Sequence, residues 1–158
     1  MSTFIASRPR QMHQRHAFAI VASQYNPEFV KGLVDHALQE LEALSPGAVV
    51  TTHEVPGAFE IPLVVQEVAT RGGVEAIIAL GVIIRGETEH ADLIGQAVTS
   101  ALLDAGLRYR IPVVHEVLLL DNEEQARART QGTELNRGTE AARVAVAMAQ
   151  KMIELKPR

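Results

Sequence analysis

The sequence predicts a three-layer α/β sandwich of the flavodoxin-like type, in which a four-stranded parallel sheet carries helices on both faces. Two observations predict it. Short apolar runs alternate with stretches of helical periodicity along the chain, an order typical of a parallel sheet. The 158 residues carry 47% hydrophobic and 22% charged side chains, which suits one globular domain with a sound core.

Four apolar segments are predicted as strands, each bounded by polar residues, Gly or Pro. Their bounds are Ala17–Ser23, Ala48–Val55, Ala76–Ile84 and Pro112–Leu120. The third of them, AIIALGVII, is apolar throughout. Such a run is typical of a strand that is buried on both faces of a parallel sheet.

Helical patterns fill the gaps between these strands. The first predicted helix has Pro27 in its first turn and apolar residues at a spacing of three to four up to Leu44. The others are predicted at Phe59–Thr70, from an N-cap at Thr88 to about Leu107, at Asn122–Arg129 and at Gly138–Leu155.

The third helix is apolar nearly all round. Its apolar positions are Leu93, Ile94, Ala97, Val98, Ala101, Leu102, Leu103, Ala105 and Leu107. A helix of this kind must be buried on most sides, and a small domain has little other structure to cover it. We therefore expect partner subunits to cover this helix.

The predicted domain spans residues 16–158. Residues 1–15 include three arginines and no acidic residue, and we expect them to form a flexible N-terminal tail. An Arg- and Ser-rich start is also typical of a transit peptide, but this one is short and lacks a clear amphipathic stretch. A cytoplasmic protein is therefore expected.

Composition excludes several classes of function. The formal net charge of −4 argues against a general binder of nucleic acid or anionic membranes. Without Cys there is no disulfide, thiol catalysis or Cys-ligated metal. No segment reaches the roughly 18 apolar residues of a membrane span.

Known cofactor and catalytic motifs are also absent from the sequence. There is no G-x-G-x-x-G after the first strand, no P-loop and no G-x-S-x-G elbow. His53-Glu54 and His115-Glu116 each begin like a zinc helix, but neither continues as H-E-x-x-H. We therefore predict no metal site.

The segment RGETEH, at residues 85–90, follows the most apolar strand directly. In open α/β sheets, ligands bind at the carboxyl ends of the strands. Gly86 allows close approach of the backbone to a ligand, and the amides near Thr88 open a helix and can hold an anion. His90 is either the acid/base group of such a site or a surface or capping residue.

Two arginines and two aromatic residues are further candidates. Arg129 and Arg137 could clamp a phosphate, or they are solvated charges at helix ends. Tyr25 and Phe59 follow strands and could stack on a planar heterocycle, or they are part of the local core.

Taken together, these segments resemble the lumazine synthase family (6,7-dimethyl-8-ribityllumazine synthase). The motifs PGAFEIP and GVIIRGETEH are the most specific part of the resemblance, which covers about residues 16–155 in family order. The motifs that carry it are SQYN (23–26), VPGAFEIP (55–62), ALGVIIRGETEHADLI (79–94), EEQARART (123–130) and NRGTEAA (136–142).

The resemblance implies a transferase that acts in riboflavin biosynthesis and needs no metal or organic cofactor. It would condense 5-amino-6-(D-ribitylamino)uracil with 3,4-dihydroxy-2-butanone 4-phosphate and release phosphate and water. His90 resembles the family's proton-transfer residue and Arg129 its phosphate-binding residue. The implied substrate-binding residues are Tyr25, Asn26, Ala58, Phe59, Glu60, Val82, Ile83, Ile84, Glu87, Thr88, His115, Arg129 and Arg137.

The resemblance also implies a homo-oligomer, either a pentamer or a multiple of pentamers, with sites between subunits. His115, Arg129 and Arg137 would then come from the subunit that faces His90. Riboflavin synthase is a candidate further partner.

The fourth strand departs from the family pattern. His115 stands where a Phe is usual and Glu116 where a Gly is usual. His115 could hydrogen-bond the substrate, assist proton transfer or merely fill space. The altered strand is also what favours the alternative function, a non-catalytic shell protein of the same fold that binds flavin or lumazine.

Overall fold

The strands and helices alternate along the chain as predicted. The computed structural model describes residues 4–157, and its four parallel strands lie in the order β2-β1-β3-β4. The strands are β1 (Ala17–Ser23), β2 (Val49–Val55), β3 (Ala76–Ile84) and β4 (Val113–Leu120). The helices are α1 (Pro27–Leu44), α2 (Ile61–Arg71), α3 (His90–Tyr109), α4 (Glu123–Thr130) and α5 (Arg137–Glu154). This confirms the predicted fold class.

A separate hydrophobic core lies on each face of the sheet. On β3, Ile78 and Leu80 point into the core formed with α1, α4 and α5, whereas Ile77 and Ala79 point into the core formed with α2 and α3. All four side chains are fully buried. Burying an Ile or Leu side chain stabilises the fold by about 1.5–3 kcal/mol, so the burial of β3 on both faces stabilises the sheet strongly.

Two helix starts differ from the prediction. A 3₁₀ turn at Ala58–Glu60 precedes α2, which begins at Ile61, because Pro62 has no N–H to donate and is accommodated only in the first helical turn. Thr88 is not the N-cap of α3. Residues 87–89 form a bend, Glu89 occupies the cap position without a side-chain hydrogen bond, and the helix begins at His90.

The N-terminal segment lies on α1 and α5 without regular secondary structure. Arg8 donates two hydrogen bonds of 2.9 Å to the Glu40 carboxylate, and Arg143 donates one of 2.8 Å to the same group. The side chain of Met12 is buried, and its N–H donates to the carbonyl of Leu44. The predicted flexibility of the tail stays a prediction for these residues, and residues 1–3 lie outside the described part.

Part of α3 is uncovered in the single chain, as its sequence predicts. Leu93, Leu103 and Leu107 are 62%, 64% and 71% exposed. Only Ala91, Val98, Leu102 and Ala105 of this helix are buried. Within residues 4–157 no helix is both long and apolar enough to span a membrane.

Candidate active site

A cavity of about 760 Å³ opens at the carboxyl end of the sheet, where β1 and β3 end. Its walls come from the turn after β1, the 3₁₀ turn before α2, the end of β3 and the start of α3. The lining residues are Tyr25, Asn26, Gly57, Ala58, Phe59, Glu60, Val82, Ile83, Ile84, Gly86, Thr88, His90, Ala91 and Ile94. Most of the residues predicted for the site therefore meet in one place, although the role of each stays a prediction.

Asn26 joins the turn after β1 to the neighbouring strand β3. It occupies the left-handed region, with φ of 56° and ψ of 55°, which Asn tolerates better than most residues. Its side-chain Nδ2 donates a 2.8 Å hydrogen bond to the carbonyl of Val82. This bond holds two walls of the cavity at a fixed separation.

The aromatic wall rests on Gly57. A Cβ atom at this position would lie 2.8 Å from Cε2 of Tyr25, so the ring packs directly against the bare backbone. The Glu60 carboxylate accepts a 2.9 Å hydrogen bond from the Gly57 N–H. Tyr25 and Phe59 are nevertheless 67% and 60% exposed, which leaves ring surface available to a planar ligand and argues against the interpretation as core residues.

The turn that bears His90 is polar and exposed. The His90 side chain makes no hydrogen bond or ion pair with any residue of the described chain, although it lines the cavity. Asp92 does not orient it, because the Asp92 carboxylate accepts hydrogen bonds of 2.9–3.4 Å from Arg85. An unconstrained imidazole at the mouth of a cavity can exchange protons with a bound ligand.

Four predicted site residues do not line this cavity: Glu87, His115, Arg129 and Arg137. Arg129 lies on α4 and is half-buried, and its Nη1 approaches the carbonyl of Gln125 at 3.5 Å. The carbonyl of Thr130 lies so close to the Gly32 α-carbon that a Cβ atom would overlap it. This contact presses α4 against α1 and sets the position of Arg129.

His115 uses both ring nitrogens within its own chain. The Thr99 hydroxyl donates to the carbonyl of Gly95 at 2.7 Å and therefore accepts from Nε2–H of His115, also at 2.7 Å. The N–H of Val117 donates to Nδ1 at 3.1 Å. Burial lowers the pKa of the imidazole, which agrees with a neutral ring. The predicted contact with a substrate would require one of these bonds to open.

Arg137 lies in a buried cluster of charged side chains instead of at a surface. Its side chain is 4% exposed, and it is paired with Glu140 and with the carbonyl of Phe4. To bind a substrate on another subunit, as predicted, the guanidinium would have to leave Glu140.

Glu116 is the third member of this cluster. The pKa of its carboxyl is raised to about 8, chiefly by burial and also by the nearby Glu140, while Arg137 opposes the shift. Glu116 and His115 lie on opposite faces of β4, since successive side chains of a strand alternate.

Gly57, Ala91 and Ile94 line the cavity but were missing from the predicted set of site residues. Ile94 lies four residues after His90, so helical spacing places both on one side of α3, and this signal could have identified it. The contact of Gly57 with Tyr25 joins residues far apart in sequence and has no such signal. Among residues 4–157 there is no cluster of three or more His, Asp or Glu that could hold a metal ion.

The fold and cavity define a parallel α/β protein with a small-molecule site at the carboxyl edge of its sheet. The family model of 6,7-dimethyl-8-ribityllumazine synthase matches residues 15–153. Proteins of that name from Burkholderia vietnamiensis (strain G4) and Paraburkholderia phytofirmans are each 43% identical over 137 residues, which is 86% of this chain and 79% of theirs. The one from Burkholderia cenocepacia (strain HI2424) is also 43% identical and is covered over 78% of its length. The chain belongs to the 6,7-dimethyl-8-ribityllumazine synthase family, which confirms the resemblance.

Glu116 should make stability depend on pH. At a pH between the ordinary pKa of 4.5 and the folded pKa of about 8, the Glu116 carboxyl is ionised in the unfolded chain and protonated in the folded chain. The free energy of unfolding therefore falls as pH rises through this window, by at most about 1.4 kcal/mol per pH unit. We expect Glu116→Gln to remove this dependence and to be more stable than the parent above that window, as measured by urea unfolding at several pH values.

The matched control is Glu42→Gln, which removes an exposed carboxylate from α1. It should keep the pH dependence of the parent protein. A parallel pH profile for Glu116→Gln and the parent would contradict the buried, protonated state of Glu116.

Proposed function

We propose that this protein condenses 5-amino-6-(D-ribitylamino)uracil with 3,4-dihydroxy-2-butanone 4-phosphate to form 6,7-dimethyl-8-ribityllumazine in riboflavin biosynthesis. Family membership supports this reaction. The observation that carries it in the structure is one cavity that combines exposed aromatic rings, an unconstrained His90 and a polar turn at the start of a helix.

The pyrimidine would lie against the aromatic wall. Tyr25 and Phe59 offer exposed ring faces, on which a planar heterocycle can stack. Ala58, Val82, Ile83 and Ile84 line the cavity beside them and would contact the ring and the ribityl chain. The Glu60 carboxylate and the Asn26 carboxamide also line the cavity and would hydrogen-bond the ribityl hydroxyls or the ring edge.

The phosphate would lie at the turn before α3. The backbone amides of Glu87 and Thr88 lie just before that helix, whose dipole favours an anion at its N-terminus. Gly86 has no side chain that could block this approach. The space beside it is also open, because a Cβ atom built there would meet nothing within 4 Å. Arg129 would supply the charge-assisted hydrogen bonds that complete the phosphate site.

Each step of the proposed reaction requires the transfer of protons. The amine attacks the ketone carbonyl and forms a Schiff base with loss of water. Elimination of phosphate and closure of the second ring, with loss of another water, give the product. His90 accepts and returns protons in these steps, a role in which an imidazole can act as both acid and base.

The site is proposed to be shared between subunits of a homopentamer or a multiple of pentamers. The exposed apolar face of α3 supports an assembly, and Arg129 lies outside the cavity of its own chain. Arg129 and His115 would then face the cavity of a neighbouring subunit. Arg137 is better placed to hold the start of α5 through Glu140. A cytoplasmic location and riboflavin synthase as a partner complete the proposal.

A non-catalytic binding protein of the same fold is the alternative. It would explain the departures at His115 and Glu116, but His115 is hydrogen-bonded within the chain and Glu116 lies near Glu140 and Arg137. Neither of them lines the cavity. Since the chain retains both His90, which lines the cavity, and Arg129 on α4, we favour the enzyme.

Turnover tests the reaction directly. The protein should produce lumazine fluorescence from the two substrates faster than the uncatalysed reaction does. His90→Ala should lower kcat by roughly 10²–10⁴ through loss of the acid/base group, with the uncatalysed rate as the lower limit. His13→Ala, which removes an exposed imidazole from the N-terminal segment, should keep the parent rate. Absence of turnover by the parent protein would refute the proposed function.

Arg129 should serve the phosphate more than the pyrimidine. Arg129→Ala removes a charge-assisted contact to phosphate, so we expect KM for the butanone phosphate to rise at least about tenfold, while KM for the pyrimidine changes little. Arg127→Ala is the matched control on the same helix, where Arg127 pairs with Glu123. An equal rise of both KM values in Arg129→Ala would argue against a phosphate contact.

The assembly should depend on the apolar face of α3. Light scattering should give a mass of five chains or a multiple of five. Leu107→Asp places a charge on the exposed face and should lower that mass. Leu155→Asp, at a position of similar exposure at the end of α5, should not. A monomeric parent protein would contradict the shared site.

A further inference from the structure

Arg85 connects three parts of the chain next to the cavity. It directly follows β3, and its backbone N–H donates to the carbonyl of Leu120 at 2.8 Å. Its guanidinium donates to both oxygens of Asp92, in the first turn of α3. It also donates to Asp121, directly after β4. One side chain thus ties the ends of β3 and β4 to the start of α3.

The connection continues from Asp121 into α4. Asp121 and Gln125 exchange two hydrogen bonds, of 3.1 and 3.2 Å. The N–H of Gln125 donates to the Asn122 side chain, which caps α4, and the carbonyl of Gln125 lies 3.5 Å from Nη1 of Arg129. A continuous series of contacts therefore runs from the first turn of α3 to Arg129.

The segment between Arg85 and α3 has few other attachments. The side chains of Glu87, Thr88 and Glu89 make no hydrogen bond or ion pair with other described residues, and nothing lies within 4 Å of a Cβ atom built on Gly86. The position of this turn, and of His90 after it, thus depends on how its two ends are held.

We propose that Arg85 is a positioning residue that holds the turn bearing His90 and the helix bearing Arg129 in a fixed relation. This inference rests on the proposed function for the roles of His90 and Arg129. In the proposed pentamer these two residues of one chain serve different sites, so Arg85 aligns parts of two neighbouring sites at once.

An ordinary exposed ion pair contributes little to stability, but positioning is a different effect. The guanidinium bridges two carboxylates on different elements, and the pKa of Asp121 is lowered by its hydrogen bonds to Arg85 and Gln125. Misplacement of a reacting group by about 1 Å can cost up to 10²-fold in rate. Loss of Arg85 should therefore affect turnover more than folding.

Steady-state kinetics of four variants test the proposal. Arg85→Met should lower kcat about tenfold or more through His90 and raise KM for the butanone phosphate through Arg129. Asp121→Asn should mainly raise that KM. The double variant should be no worse than Arg85→Met, because residues in one network are not additive. Arg85→Lys should recover only part of the loss, since an ammonium cannot bridge both carboxylates as a guanidinium does.

Arg108→Met is the matched control, because Arg108 forms an exposed pair with Asp104 on the outer part of α3. It should keep the parent kinetics. A purely structural role of Arg85 would reduce the active fraction, which lowers kcat and leaves KM unchanged. That result, or additive effects of Arg85→Met and Asp121→Asn, would overturn the proposal.

Calorimetric titration with inorganic phosphate separates this inference from the proposed reaction, because it needs no turnover. The parent protein should bind phosphate, and Arg85→Met should bind it about tenfold more weakly, with Arg108→Met unchanged. Equal phosphate affinity of Arg85→Met and the parent, or no phosphate binding by the parent, would overturn the positioning role even if the condensation proceeds.

Discussion

The burial of β3 on both faces is the constraint on which the rest of the structure depends. Seven of its nine residues, from Ala76 to Val82, are inaccessible to solvent, so this part of the strand can carry no unpaired polar side chain. The polar groups of the site must follow the strand, and they do so within a few residues, from Arg85 to His90. The abrupt change from apolar to charged sequence therefore has a structural cause.

The same constraint explains why the site needs support from distant segments. A turn that leaves a buried strand projects beyond the helices and has few neighbours to pack against. Arg85 links this turn to Asp92 and Asp121 at the ends of adjacent elements, and a bond from Asn26 to Val82 holds the turn after β1 in the same way. The apolar cores fix the strands, whereas hydrogen bonds and ion pairs fix the loops at their carboxyl ends.

In the edge strand β4, successive side chains point to opposite faces of the sheet, and this separates His115 from Glu116. His115 faces α3, where Thr99 accepts from its Nε2–H, while Glu116 faces α5, near Arg137 and Glu140. The sequence presents them as a pair beside a possible site, but the pleat directs them into different environments. His115 is hydrogen-bonded within its own chain, and neither residue lines the cavity of that chain.

Sequence periodicity and composition determined the number and order of the strands and helices and the polar segment that would form the site, because each of these depends on residues close together in the chain. The parallel sheet followed from the alternation of strands and helices. The apolar positions of α3 also predicted that a single chain would leave part of this helix exposed. Only the tertiary structure decided that Arg137 is buried with Glu140, that His115 is held by Thr99, that Tyr25 rests on Gly57 and that Arg85 joins Asp92 to Asp121. These contacts join residues from different elements, and their geometry exists only once the helices and strands have packed together.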